Sequence, residues 1–255
     1  MSEESNLARI KRLIWPLSRN KVRYLLRRLR HPYRRLYLTH SPINGPMSVW
    51  ELGRERHLLF SESLTYPQSI IFTRGSYAEL AREFWGKLLP PARLLPPHPR
   101  VLLLGLGGGT VVQLAYRLLQ PQSITIVELD PVVVDIAKRY MLMDQIPNLE
   151  IHTTDVHQAL AEFQNGRPFD LIIEDIFYLG LPDQNDTILQ AYIQSLVAIL
   201  APEGFLTFNR WISESQEERM GSLLRLLEER FTRVHLQKMN MRYQVQVISA
   251  SQPKL

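Results

Sequence analysis

The stretch Val101-Leu-Leu-Leu-Gly-Leu-Gly-Gly-Gly-Thr110 constrains this chain more than any other. An apolar run of four residues, too short for a helix, enters a turn of glycines. The chain leaves that turn into Val111 to Leu119, whose apolar spacing is helical. The segment therefore reads as strand, turn, helix. Glycines at 105, 107, 108 and 109 allow positive φ and let the backbone approach a ligand where a Cβ would intrude. The following run, Ile124-Thr-Ile-Val-Glu-Leu-Asp130, is β-branched and ends on Glu128, 23 residues after Gly105. A carboxylate placed there can accept both hydroxyls of a ribose. A glycine turn alone is a weak signal, and a purely structural turn is the alternative. Strand, turn, helix and acid at this spacing together point to a cofactor that contains adenosine.

What the turn lacks narrows the cofactor. A dinucleotide turn has the form G-x-G-x-x-G and seats a pyrophosphate on the helix N-terminus, and a phosphate-gripping loop ends in G-K-[ST]. Gly105-Leu-Gly107-Gly108-Gly109 has neither ending, and no Lys or Arg follows before Arg117. Nothing basic waits for phosphate.

Beyond the turn, strand and helix alternate. The pattern predicts strands at 101–105, 123–128, 149–153, 169–175, 204–209, 231–237 and 242–249, with helices at 110–119, 131–140, 155–163, 186–200 and 213–230. Such alternation implies an α/β domain over 99–250 whose sheet is mostly parallel, with the last two strands antiparallel to each other. Ligands in these sheets lie outside the C-terminal strand ends, which selects Gly105, Glu128, Asp155, Asp175 and Asn209 as residues facing one crevice. A smaller β region occupies 46–89. It reads as a hairpin of 47–52 and 57–60, a strand at 68–73, and a helix from Ser76 with Tyr77, Leu80, Phe84, Trp85 and Leu88 on its apolar side. The proline-rich stretch from Leu89 to Pro99 connects the two.

Charge is concentrated at the start. Residues 1–40 hold 11 of the 30 Lys and Arg but only Glu3 and Glu4 among the 25 acids. The pattern reads as a basic amphipathic arm, broken at Pro16 and Pro32, with Leu13, Leu17, Val22, Leu25, Leu26 and Leu29 at helical spacing. Three uses are open to it: packing on the domain or a second subunit, meeting anionic membrane lipid, or meeting nucleic acid. There is no cysteine, so disulfides and thiolate chemistry are excluded, and the seven histidines lack metal-ligand spacing, so no metal is expected. No apolar run approaches the ~20 residues of a membrane span. A soluble cytoplasmic protein is the expectation.

The tight G-x-G-G-G turn with its acidic partner resembles the first two motifs of the class I S-adenosylmethionine-binding transferases. Together with Val127-Glu-Leu-Asp-Pro131, Asp155, Phe169-Asp-Leu-Ile-Ile-Glu-Asp175, Pro202-Glu-Gly204 and Gln68, it resembles the spermidine synthase family, and within it the methyltransferase-like branch, over about residues 46–250. The resemblance implies a Rossmann-like class I methyltransferase fold with a mostly parallel seven-stranded sheet, an antiparallel last strand and a small N-terminal β region. It implies that Gly105, Gly107 and Gly108 pass under the cofactor, that Glu128 holds its ribose, and that Asp155 with the Val156 backbone meets the adenine edge. Asp175 would lie beside the sulfonium and the nucleophile, and Gln68 would reach the cofactor tail. The plain alternatives are that Asp155 caps the helix after it, that Gln68 is an ordinary strand residue, and that Asp130 before Pro131 is a helix cap. Tyr77-Ala78-Glu79 stands where that family carries Tyr-His-Glu.

Two departures bear on the reaction. Aminopropyltransferases of the family carry G-G-G-D-G-G, which puts Gly108 in the place of the aspartate, and a D-S-S-D-P type segment, whose second aspartate is replaced here by Tyr178. An aspartate in the turn would repel the carboxylate of intact S-adenosylmethionine and favour its decarboxylated form. The expectation is therefore S-adenosylmethionine, without a metal, and methyl transfer to a small-molecule amine or hydroxyl, with Asp175 and Tyr178 catalytic and Asn209 helping to bind the acceptor. Aminopropyl transfer from decarboxylated S-adenosylmethionine, in polyamine biosynthesis, is the alternative. An inactive cofactor-binding interaction module and a nucleic-acid methyltransferase are readings from other classes, and family relatives suggest a homodimer.

Overall fold

The computed structural model describes residues 33–63, 67–176, 186–212, 217–240 and 244–254. Residues 1–32, which carry most of the expected basic arm, lie outside the described residues. Four strands come first: β1 (Arg34–Ser41), β2 (Gly45–Leu52), β3 (Glu55–Leu59) and β4 (Ser69–Phe72), paired antiparallel in chain order. Gly53 and Arg54 join β2 to β3, with Leu52 opposite Glu55 and Gly53 at φ 61°. Glycine at the first of two turn positions is what the right-handed twist of a hairpin requires.

A short helix α1 (Phe84–Lys87) leads to the main domain. There β5 (Arg100–Leu104), α2 (Thr110–Leu119), β6 (Ser123–Glu128), α3 (Pro131–Tyr140), β7 (Leu149–Thr153), α4 (Val156–Phe163), β8 (Phe169–Glu174), α5 (Asp186–Ala198), β9 (Leu200–Ile212), α6 (Glu217–Arg230), β10 (Phe231–Asn240) and β11 (Gln244–Pro253) follow. The seven strands lie in the order β10-β11-β9-β8-β5-β6-β7, and only β11 runs against the rest. This is the expected α/β class, a seven-stranded, mostly parallel sheet with an antiparallel last strand, beside an N-terminal antiparallel sheet.

Strands covered on both faces need apolar side chains on both, which explains the unbroken runs Val101–Leu104 and Leu171–Ile173. Val101, Leu103, Leu171 and Ile173 pack with α2, α3 and with Met47, Val49, Leu58 and Ile71 of the small sheet. On the reverse face, Leu102, Leu104, Ile172, Leu206 and Phe208 pack with α4, α5 and α6. The small sheet thus shares a core with one face of the large one.

Three expectations need correction. The basic segment does not run to residue 40, because Arg34–Ser41 is an edge strand. Leu36 and Tyr37 pack on the core, Tyr37 stacks on Tyr140 with centroids 4.9 Å apart, and Arg34 and Arg35 stay in solvent. Edge strands carry charge to discourage further pairing, so composition hid the alternation. The helix expected from Ser76 is instead a single turn of 3₁₀ helix at Leu80–Arg82, a break at extended Glu83, and α1. The chain turns back so tightly there that a Cβ on Gly86 would stand 2.0 Å from the Ala81 carbonyl oxygen. Finally, β9 is longer than expected, because its outer end pairs with β11 over Phe205 to Ile212. Among the described residues, no helix is long and apolar enough to cross a membrane.

Asp130 joins the two sheets. It caps α3 through Val132 N–H at 2.8 Å, and its other oxygen accepts from the Ser41 hydroxyl and from Asn44 Nδ2 at 2.6 Å. The Ser41 oxygen in turn accepts from the N–H groups of Ile43 and Asn44 at 3.0 and 3.1 Å, closing the β1–β2 turn. The carboxylate is fully buried. Asp130→Ala would leave a hydroxyl, a side-chain amide and a helix-start N–H without an acceptor. A loss of about 3 kcal/mol is expected. The check is a lower urea midpoint at unchanged slope.

Candidate active site

The chain leaves β5 at Gly105, whose φ of 88° is left-handed. Its N–H bonds the Val127 carbonyl at 2.8 Å, and Asp175 N–H bonds the Leu104 carbonyl at 2.8 Å. Three strand ends are thereby held side by side. The approach is so close that a Cβ on Gly105 would lie 2.4 Å from the Asp175 carbonyl oxygen. Glycine is required here by its neighbours as well as by φ.

Glu128 ends β6 beside the turn. Its Oε2 accepts from Leu106 N–H and its Oε1 from Asp130 N–H, both at 2.9 Å. Burial pushes its pKa above the usual carboxylate value, while the N–H groups of Asp130, Leu106 and Gly107 oppose that rise. A carboxylate has about four acceptor positions, so two backbone donors leave capacity for ribose hydroxyls. The residue expected to hold the ribose is thus pre-oriented at the mouth of the turn.

The rest of the turn docks onto the small sheet. Ser69, first residue of β4, accepts the Gly108 N–H at 2.7 Å, and a Cβ on Gly108 would meet Ser69 Cβ and Met141 Cε at 2.7 Å. Gly107 has the same relation to the Ser69 hydroxyl, at 2.9 Å. Thr110, first residue of α2, accepts the Ile70 N–H and donates to the Ile70 carbonyl, both at 2.9 Å. The edge of β4 is thus completed by a threonine side chain. Sequence reasoning missed Ser69 and Thr110, and no local pattern marks either of them.

Asp175 follows β8 directly. Asn209 on β9, 8% exposed, donates Nδ2 to Asp175 Oδ1 at 2.7 Å. Burial raises the Asp175 pKa from 3.8 to about 6, against opposing contributions from the Asn209 hydrogen bond and the charge of Arg210. Such a carboxylate is mostly ionised at neutral pH and still basic enough to take a proton. The Asn209 amide oxygen, Oδ1, is buried and has no hydrogen-bond partner among the described residues.

The structure thus brings Gly105, Gly107, Gly108, Glu128, Asp175 and Asn209 to one end of the sheet. Asp155 is there too, because Thr153 pairs with Glu128 and Thr154 N–H bonds the Glu128 carbonyl at 3.1 Å. Its Oδ1 caps α4 through His157 N–H at 2.8 Å, and Val156 opens that helix. Gln68 lies next to Ser69 and is half-buried, with its backbone N–H bonded to Leu58. Tyr77 is a core residue whose hydroxyl bridges the N–H and carbonyl of Phe72, and Glu79 pairs with Arg54. Tyr178 lies outside the described residues. Among the described residues, no three His, Asp or Glu side chains gather as metal ligands.

The residues present fit an S-adenosyl cofactor: a turn kept bare of side chains, since a Cβ at Gly105, Gly107 or Gly108 would collide with Asp175, Ser69 or Met141, an oriented carboxylate one strand away, and no cationic side chain on the glycine turn.

The Spermine/spermidine synthase domain family matches residues 91–248. Among curated proteins, a polyamine aminopropyltransferase of Vibrio vulnificus is 37% identical over 86 residues, which are 33% of this chain and 29% of that protein. The human eEF1A lysine and N-terminal methyltransferase is 27% identical over 134 residues, 47% of this chain and 18% of that protein. The chain thus spans less than a third of the length of either relative. Spermidine synthase from Thermotoga maritima has a similar structure, with TM-score 0.62 and 17% identity over 86% of this chain and 73% of the other. Human methyltransferase-like protein 13, solved with SAH, gives 0.56 at 21% identity over 69% and 82%. These likenesses establish the fold. With more than half of its length matched, the chain belongs to the spermine/spermidine synthase domain family of S-adenosylmethionine-dependent transferases.

Proposed function

We propose that this chain transfers a methyl group from intact S-adenosylmethionine to the amine or hydroxyl of a small molecule. The observation that carries this reading is the packing at Gly108. Ser69 and Met141 fill the space where a side chain would start, so the glycine turn presents no carboxylate to a cofactor carrying one of its own. Like charges a few ångströms apart in a partly buried site disfavour each other strongly.

Bound S-adenosylmethionine supplies a carbon already activated by a sulfonium. What remains for the protein is alignment, exclusion of water and disposal of a proton. Asp175 takes that proton from the acceptor, and Asn209 holds Asp175 in place. Aminopropyl transfer is the second reading. It is favoured by the family and by the likeness to the Vibrio aminopropyltransferase.

Calorimetric titration separates the two. Intact S-adenosylmethionine should bind at least about tenfold tighter than the decarboxylated form, a difference of roughly 1.4 kcal/mol. The opposite preference would remove the methyl-transfer reading and make putrescine the next ligand to test. Gly108→Asp should weaken binding of the intact cofactor, both by its charge and by displacing Ser69.

The pH dependence follows from Asp175. Turnover should rise as pH passes about 6 and level off above it. Asp175→Asn should lower kcat by about 10²–10³-fold, in the range of general acid–base contributions. Stability moves the other way. The folded chain holds this proton more tightly than the unfolded chain, so the associated stability is present below pH 3.8 and lost as pH rises through about 6. Asp175→Asn should therefore unfold later than the parent at about pH 8 and match it at about pH 3.

A further inference from the structure

The reverse face of the sheet, behind Asp175 and Asn209, carries a polar group that the reading above does not use. Glu174 and Asp175 are consecutive, as are Asn209 and Arg210, and alternation sends the members of each pair to opposite faces. On one face Asn209 bonds Asp175. On the other, Arg210 Nη1 bonds Glu174 Oε2, with Glu174 fully buried and Arg210 7% exposed.

The surroundings are apolar. Leu104 and Phe208 stand opposite Glu174 on the neighbouring strands, and Ile172, Ile248 and Tyr192 belong to the same core. A buried ion pair in such a place is poor value for stability, because desolvation offsets the attraction, and apolar residues of similar volume would serve as well. Its position suggests another use. Arg210 Nη1 also donates to the carbonyl of Asn209 at 2.9 Å, and its guanidinium lies 5.0 Å from the Phe208 ring centroid. Gln246, also buried, stands opposite Arg210 on β11. The guanidinium thus grips the end of β8 through Glu174 and the backbone of the very residue that holds Asp175.

We propose that Glu174 and Arg210 form a positioning clamp that locks the ends of β8 and β9 together, so that Asn209 stays against Asp175. The clamp acts through the two strands and touches neither cofactor nor acceptor. It rests on the reading of Asp175 as the proton acceptor, but its geometry exists without any ligand. Of the other carboxylates at this end of the sheet, Glu128 stands two strands away on β6 and is held by backbone N–H groups of its own, and Asp130 and Asp155 cap the helices after β6 and β7.

The test is carboxyl-carbon NMR titration of Asp175 in the full chain without ligand, with hydrogen exchange of the Asn209 side-chain amide followed alongside. In Arg210→Met, the Asp175 midpoint should move up by about one unit or more, through loss of the Asn209 hydrogen bond and of the nearby positive charge. Exchange of the Asn209 amide should quicken at least about tenfold, as expected for a hydrogen bond opened more often. Arg210→Lys should restore the midpoint in large part. Should Arg210→Met fail to fold, Glu174→Gln/Arg210→Met removes the stranded buried charge and should show the same shift. Unchanged amide exchange in a folded Arg210→Met or double variant would overturn the clamp whatever the midpoint does, because removing the Arg210 charge raises the midpoint by itself. A lower melting temperature with neither signal changed would do the same, since it would leave only a structural pair. Because no substrate enters this measurement, a normal clamp in a chain that transfers no methyl group would count against the proposed function alone.

Discussion

Two carboxylates in series carry the organisation of this chain. Glu128 gathers the N–H groups of Leu106 and Asp130, and Asp130 gathers those of Val132 and the side chains of Ser41 and Asn44. The line of hydrogen bonds runs from the glycine turn, through the end of β6 and the start of α3, to the first turn of the small sheet. Buried carboxylates are costly unless hydrogen-bonded, and here backbone N–H groups and the Ser41 and Asn44 side chains supply the donors. The residue expected to hold the ribose and the residue joining the two sheets are thus two positions apart, and the Asp130 N–H links them.

The small sheet is consequently part of the site. Ser69 and Thr110 fasten β4 to the glycine turn and to the first residue of α2. This gives Gly108 a steric reason to be glycine, internal to the fold: a side chain there would collide with Ser69 and Met141.

Most of the main domain was legible beforehand, and the reasons are local. The helices at 110–119 and 131–140 and the strands at 123–128 and 149–153 fall where periodicity put them, because each is bounded by a glycine turn, a cap or a proline. The failures share a cause as well. Arg34–Ser41 was hidden by basic composition, although its Leu36 and Tyr37 are core contacts. The expected helix from Ser76 has a sound apolar stripe, and its residues are indeed buried, yet the chain covers that surface with a 3₁₀ turn and a break. Tyr77 illustrates the limit on motif matching, since its hydroxyl is spent on the Phe72 backbone.

The sequence by itself determined the class of fold, the position of the glycine turn, and the candidacy of Glu128 and Asp175. These depend on backbone stereochemistry and on spacing within about thirty residues, which one strand–helix–strand unit encodes. Only the tertiary structure decided that Ser69 closes the turn from 39 residues away, that Asp130 reaches Ser41 across 89, and that Asn209 and Arg210 grip Asp175 and Glu174 from opposite faces. A side chain's partner across such distances is chosen by how strands are ordered in a sheet and which face each residue presents. No local pattern carries that information.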